Sequence, residues 1–236
     1  MSVAKRTLIL LPGLLCDDAL WAHQSAFLSE FAHVIVSDLT REDNIPDMAR
    51  HVLARAPEKF ALAGLSMGGY VAQEIMRQAP HRVLSLALLD TNARADQPEQ
   101  TARRRALMDE AEHGQFIGIG RKLLPVLVHP DSAKNEEIVA TVLGMAARVG
   151  KDAFLRQQNA IMHRVDGRAD LARVECPTLV LCGADDTLTT VEIHQEMADA
   201  IGDNADLVVI EHCGHLSPLE RPEEVSAALF DWLQGI

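Results

Sequence analysis

Four absences in this chain each close off a class of function. No apolar run is long enough to span a bilayer. The opening MSVAKRTLILLPGLL holds a short apolar stretch broken by Pro12 and Gly13, with no small-residue cleavage site. It therefore reads as neither signal peptide nor membrane helix. Basic charge is in deficit: 22 Lys and Arg stand against 34 Asp and Glu, a net charge of -12 with His neutral. Nucleic-acid partners need the opposite balance. CxxC pairs are absent too, and without a secretion signal Cys16, Cys176, Cys182 and Cys213 read as free thiols in a cytoplasmic protein. Finally there is no HExxH, and the spacing of His212, Cys213 and His215 is poor for zinc. No metal site is expected. Repeats and low-complexity tracts are missing as well.

The 236 residues suffice for one full domain with a real core. Short apolar runs recur at Thr7–Leu11, His33–Ser37, Phe60–Leu65, Val83–Leu89, Thr178–Cys182 and Leu207–Ile210. Continuous hydrophobicity without alternation suits strands buried on both faces. Between the first runs lie amphipathic patterns, Ala19–Phe31, Ile45–Ala56 and Met67–Gln78. Strand followed by helix, repeated, means crossover units and a parallel sheet. The rhythm breaks after Leu89. From about Asn92 to Val174 the pattern is helical: Ala102–Ala111, Gln115–Leu127, Glu136–Val149 and Asp152–Met162, punctuated by Gly114, Pro130 and Gly150. The expected organisation is a core of residues 1–91 and 175–236 with a helical lid inserted at 92–174.

The strongest chemical signal is Gly64-Leu65-Ser66-Met67-Gly68, which ends a buried run and opens a helix. G-x-S-x-G in a strand–turn–helix context is a nucleophile elbow: a sharp turn exposes the serine, and the glycines make room for it. A serine hydroxyl needs a base to take its proton. Of ten histidines, His215 in Gly214-His215 follows the last strand at the same sheet end as the elbow. His23, His51, His81, His113 and His194 fall in or beside helical patterns and are expected at the surface, and His212 is expected to be a structural loop residue. An acid must orient the imidazole. Asp185 and Asp186 both follow the strand at Thr178–Cys182, and the residues alone do not choose between them. The order serine, acid, histidine is the one this fold requires. At the end of the first strand Pro12-Gly13 allows a tight turn, so the N–H groups of Leu14 and Met67 are the expected oxyanion donors.

These motifs resemble the α/β-hydrolase superfamily, in the branch of small capped carboxylesterases and enol-lactone hydrolases. The resemblance covers nearly the whole chain through LILLPGLLCDDALW, ALAGLSMGGYVAQEIM, PTLVLCGADDTLTT and VVIEHCGHLSPLERPEEV. It places the family's G-x-x-D on Gly183 and Asp186 and its final G-H on Gly214 and His215, so it selects Asp186. Most relatives carry His-Gly where this chain has Pro12-Gly13, but the hole uses backbone groups. The implied fold is a minimal parallel sheet of about six strands, with helices on both faces and a helical lid.

Serine at the elbow is similar to esterases, lactonases, carbon–carbon bond hydrolases and perhydrolases, and unlike dehalogenases and epoxide hydrolases, which carry aspartate there. The expected activity is hydrolysis of a small, largely apolar ester or lactone through Ser66, Asp186 and His215. No cofactor is expected, because the chain supplies nucleophile, base and oxyanion donors. The alternatives are an enol-lactone or carbon–carbon bond hydrolase of aromatic catabolism, and a non-enzymatic ligand receptor on the same fold. The partner is a small molecule rather than nucleic acid or membrane. Leu15, Leu124, Met145, Met162 and Leu216 are the expected pocket residues. Arg103-Arg104-Arg105 reads as a solvated helix face. Arg164 and Arg168 read as hinge salt bridges or as a clamp for a substrate carboxylate.

Overall fold

Six strands form one sheet in the order β2-β1-β3-β4-β5-β6, every neighbouring pair parallel. They are β1 (Thr7–Leu11), β2 (His33–Val36), β3 (Phe60–Leu65), β4 (Val83–Leu89), β5 (Thr178–Gly183) and β6 (Ala205–Ile210). This is the expected strand set in the expected order. The computed structural model describes residues 5–114 and 116–235, and for 117–119 the backbone alone.

The continuous apolar runs have a direct cause. Side chains alternate between the two faces of a strand, and helices cover both. Ile9, Leu11, Leu62, Leu86, Leu88 and Val180 face one layer, packed against Met48 and Val52 of α2 (Ile45–Arg55), Val71 and Ile75 of α3 (Met67–Gln78) and Met197 of α8 (Val191–Ile201). Leu8, Leu10, Ala63, Leu65, Ala87, Leu89 and Leu181 face the other. Their partners include Trp21, Leu28 of α1 (Ala22–Leu28) and Val225 and Leu229 of α10 (Pro222–Gln234). Burial on both sides leaves no polar face to write into the sequence.

Local chemistry sets the helix ends. Asn44 accepts the Asp47 N–H as N-cap of α2, and Pro46 stands in the first turn, where its missing N–H costs nothing. The predicted helix Ala19–Phe31 is shorter and in two parts. The Asp17 carboxylate accepts the Ala19 N–H and opens a 3₁₀ turn at Asp18–Trp21, and α1 then ends at Leu28.

Between β4 and β5 the described residues hold helices and no strand. These are α4 (Pro98–His113), α5 (Ile117–Leu127), α6 (Glu136–Met162) and the single turn α7 (Arg168–Leu171). Gln115, the expected start of α5, lies outside the described residues. The two helices expected on either side of Gly150 form one segment, with Gly150 out of helical geometry at φ 79°, ψ 171°. That left-handed φ is open to glycine at no steric cost. Beyond β5, the helices α8, α9 (Ser217–Glu220) and α10 fill segments that the strand pattern alone leaves unassigned. No helix among the described residues is long and apolar enough to cross a membrane.

Candidate active site

Ser66 stands between β3 and α3 with φ 53° and ψ −114°, a backbone state that costs energy outside glycine. The neighbouring glycines allow the turn by letting backbones touch. A Cβ on Gly64 would lie 2.3 Å from the Gly68 carbonyl oxygen, and one on Gly68 would lie 2.2 Å from that of Leu11. The elbow is therefore wedged against the end of β1 as well as closing on itself.

The three side chains picked from the sequence meet here. The Ser66 hydroxyl donates to His215 Nε2 at 2.9 Å. His215 Nδ1 donates to Asp186 Oδ2 at 2.7 Å. Asp186 also accepts from Thr189 Oγ1 at 2.6 Å and from the N–H groups of Leu188 and Thr189 at 2.8 and 3.1 Å. Burial alone would raise the Asp186 pKa, but the charge and hydrogen bond of His215 and the Thr189 donors outweigh it, so the carboxyl stays ionised well below the usual range. For His215 burial works to lower the pKa, and the Asp186 anion overcomes it and leaves the imidazole above its ordinary value. Asp185 points elsewhere. Its carboxylate is half exposed and lies 3.8 Å from His129 Nε2.

Two backbone donors stand free beside the serine. Neither the Leu14 N–H nor the Met67 N–H is engaged by an acceptor among the described residues, although the next amide, Leu15 N–H, donates to Gln157 Oε1 at 3.0 Å. The Met67 amide is also the first of α3, where the helix dipole adds positive potential. Gly13 abuts the elbow: a Cβ there would lie 3.1 Å from Leu65 Cδ2 and in contact with the Ser66 Cβ at 3.5 Å.

Ser66, His215 and Leu14 open onto a cavity of about 320 Å³. Of the expected pocket residues only Leu216 lines it. Leu15 packs with Ala111 and Phe154 beneath α6, while Met145 and Leu124 join the core cluster beside Val128. Met162, at the end of α6, is also absent from the wall. The residues that do line the helical side are Leu107, Leu123, Val126, Leu127 and Ile161. Helix rotation decides which apolar residue faces inward, and a helix apolar on several sides does not announce it. Arg103, Arg104 and Arg164 also line the cavity; Arg103 and Arg105 are exposed as expected, while Arg104 is half-buried.

Sequence reasoning misses two buried groups. Asp90, at the end of β4 with φ 44°, accepts Gly183 N–H at 3.1 Å on one oxygen, and on the other the N–H and hydroxyl of Ser217 at 3.2 and 2.6 Å. Burial and the neighbouring Asp186 raise its pKa. His194, expected at the surface, is fully buried. It accepts the Thr91 N–H at 3.0 Å, and burial lowers its pKa to about 4, so it is neutral and structural. Cys16 and Cys213 flank the site as buried thiols, with Cys16 pushed up to about 12 by burial, so neither is a reactive thiolate.

One cluster of metal-ligand types lies apart from the serine: His129, Asp185 and His212 bring donor atoms within 4.8 Å of one another. The His129 Nδ1 accepts the Asp131 N–H at 3.1 Å, which in the neutral ring places the proton on Nε2, the nitrogen facing Asp185. The ring thus offers a proton rather than a lone pair to that cluster.

Known proteins share this architecture. RutD of Escherichia coli O127:H6, which carries the name of a carbamate hydrolase, is 24% identical over 97% of this chain and 91% of its own. A thermophilic esterase from Thermogutta terrifontis superposes with a TM-score of 0.90 at 29% identity, over 98% of this chain and 90% of that one. The enol-lactonase from Burkholderia xenovorans LB400 superposes at 0.89 and 23% identity, over 98% and 92%. Residues 8–228, nearly the whole chain, match the alpha/beta hydrolase family, and the chain belongs to it.

Proposed function

We propose that this protein is a serine hydrolase that cleaves a carboxylic ester or lactone of a small substrate through an acyl-enzyme. The observation that carries this reading is the continuous relay of Ser66, His215 and Asp186, at 2.9 and 2.7 Å, opening onto a cavity with two unengaged amides beside the serine. His215 Nε2 takes the hydroxyl proton as Ser66 Oγ attacks the carbonyl carbon. Asp186 holds the tautomer with its proton on Nδ1 and stabilises the imidazolium that forms. The carbonyl oxygen, now an anion, is received by the Leu14 and Met67 N–H groups. Collapse expels the alcohol, which takes the proton from His215. Water then attacks the acyl-enzyme with His215 again as base, releasing the acid and freeing Ser66. In this reading residues 92–174 act as a lid over the core of residues 1–91 and 175–236, and they supply the far wall of the cavity.

The family resemblance and the esterase and enol-lactonase neighbours favour ester or lactone bonds, and RutD adds carbamates to the panel worth assaying. The test uses the purified full chain with 4-nitrophenyl esters, lactones and carbamates, with and without a fluorophosphonate. Labelling is expected at Ser66 and no other serine, and Ser66→Ala should lose turnover by several orders of magnitude while still binding substrate. Near-normal turnover in Ser66→Ala, or binding of an ester without repeated turnover by the wild type, would refute the enzyme reading. The latter result would favour a ligand receptor.

A further inference from the structure

The charge of the cavity runs against the charge of the chain. The protein carries -12 overall. Yet Arg103, Arg104, Lys122 and Arg164 line the space around Ser66, and no carboxylate among the described residues does. Lys122 is paired with Glu110. The three arginines are not fully matched. Arg164 is buried, 8% exposed, with its guanidinium 4.4 Å from the centre of the Tyr70 ring. Its Nη1 donates to Asp96 Oδ1 at 2.5 Å, and its Nε donates to the Arg94 carbonyl at 2.9 Å. Arg104 donates from Nε to Oδ2 of the same Asp96 at 2.8 Å and from Nη1 to Gln158 at 3.0 Å. One buried carboxylate thus serves two guanidinium groups. The Nη2 of each makes no hydrogen bond to the described residues. Arg103 has no acidic partner among them at all.

Arg104 and Arg164, half-buried and buried, share one carboxylate and so leave a cation in excess at the wall, which an incoming anion would offset, and the exposed Arg103 adds positive potential at the rim. Tyr70 adds to the same wall. Its hydroxyl accepts from Asn92 Nδ2 at 3.2 Å, which leaves its own proton to donate. We propose that this wall is a carboxylate-binding subsite, and that the substrate is an ester or lactone bearing a second, free carboxylate. The assignment of the bond cleaved rests on the ester-hydrolase reading above. Asp96 is the internal template, since it shows both guanidinium groups already receiving a carboxylate. A purely bracing role would account for the bonds to Asp96. It would not account for the open Nη2 groups or for the exclusion of acids from the lining. Size agrees as well. At roughly 30 Å³ for each water-sized group, a cavity of this volume takes about ten such groups, enough for a small dicarboxylic monoester.

Binding is measured first, by titration calorimetry on full-length Ser66→Ala with monomethyl glutarate and with dimethyl glutarate. The monoanion should bind about tenfold tighter or better, as expected for charge-assisted bonds, and added salt should reduce the advantage. Arg103→Gln and Arg104→Gln should each shrink the preference several-fold. Arg173→Gln, at an exposed position outside the cavity wall, should leave it intact. If Arg104→Gln fails to fold, Arg103→Gln, on the exposed side of α4, decides the point alone. Equal or weaker binding of the monoanion overturns the subsite. Turnover is measured second, on mono-4-nitrophenyl glutarate and its methyl-capped form. Cleavage of neither, with the monoanion still preferred in binding, retains the subsite and removes the ester-hydrolase reading. Cleavage of both with no preference for the anion retains the hydrolase and removes the subsite.

Discussion

At the scale of single residues, the proposed mechanism makes the His215–Asp186 pair the group that sets the pH response. His215 must be neutral to accept the Ser66 proton. Its pKa is raised by the adjacent anion, so activity should be lost on acidification starting from above the ordinary histidine value of about 6.5. Asp186→Asn removes that anion, so the acid limb should move to lower pH while kcat drops by about 10⁴ through the wrong tautomer. Asp185→Asn should do neither, and pH–rate profiles of the two variants separate them. An unmoved limb in Asp186→Asn would show that the acid has been misassigned. Asp90 is the residue-scale surprise. It accepts from Gly183 on the strand that leads to Asp186 and from Ser217 just after His215, so it braces both loops at once. A lone aspartate after a hydrophobic run carries no such signal, because its partners lie 93 and 127 residues away.

Among the elements, the elbow and α6 matter most. Gly68→Ala would place a methyl 2.2 Å from the Leu11 carbonyl oxygen, backbone that cannot rotate aside. A loss of about 3 kcal/mol is expected from such overpacking, measured as a fall in the urea midpoint. A change below about 0.5 kcal/mol would mean that β1 and the elbow are not in contact. On α6, Gln157 is buried, accepts the Leu15 N–H at 3.0 Å and donates to the Leu39 carbonyl at 3.1 Å. It pins the turn just after Leu14, whose amide is the proposed oxyanion donor. Gln157→Ala should therefore lower kcat about tenfold or more with a smaller change in KM, since one misplaced oxyanion donor acts on the transition state. The opposite split would assign Gln157 to substrate binding. The pattern of α6 declares a helix and its break at Gly150, but not that one of its glutamines reaches the loop after β1.

Taken whole, the helical insertion and the sheet share buried contacts and are expected to unfold together. Phe154 is fully buried against Leu15 and Ala111, and Met145 joins the cluster that runs beneath the sheet. Calorimetry should show a single transition, and Phe154→Ala should cost roughly 3–5 kcal/mol. A separate early melt of the insertion would contradict that coupling. Arg148–Asp17, which also joins the insertion to the loop after β1, is over half exposed on the arginine side. Its loss should cost less than about 1 kcal/mol.

Local order is what the amino-acid sequence determined by itself. Strands buried on both faces write unbroken apolar runs, the elbow writes its glycines, and helix starts write their caps. The six strands, the candidate serine and histidine and the helical character of the described part of 92–174 were accordingly legible from neighbours a few positions apart. Choosing Asp186 over Asp185 from the sequence needed the family resemblance, because adjacent residues differ only in the direction they point. Tertiary structure alone decided which faces of α4, α5 and α6 turn inward. That choice placed Leu107 and Ile161 at the cavity instead of Met145 and Met162, and Asp96 holds Arg104 together with Arg164 at its edge. Tertiary structure also buried Asp90 and His194. Each of these outcomes rests on a contact between residues far apart in the chain, and a linear pattern of hydrophobic and charged positions holds no term for such a contact.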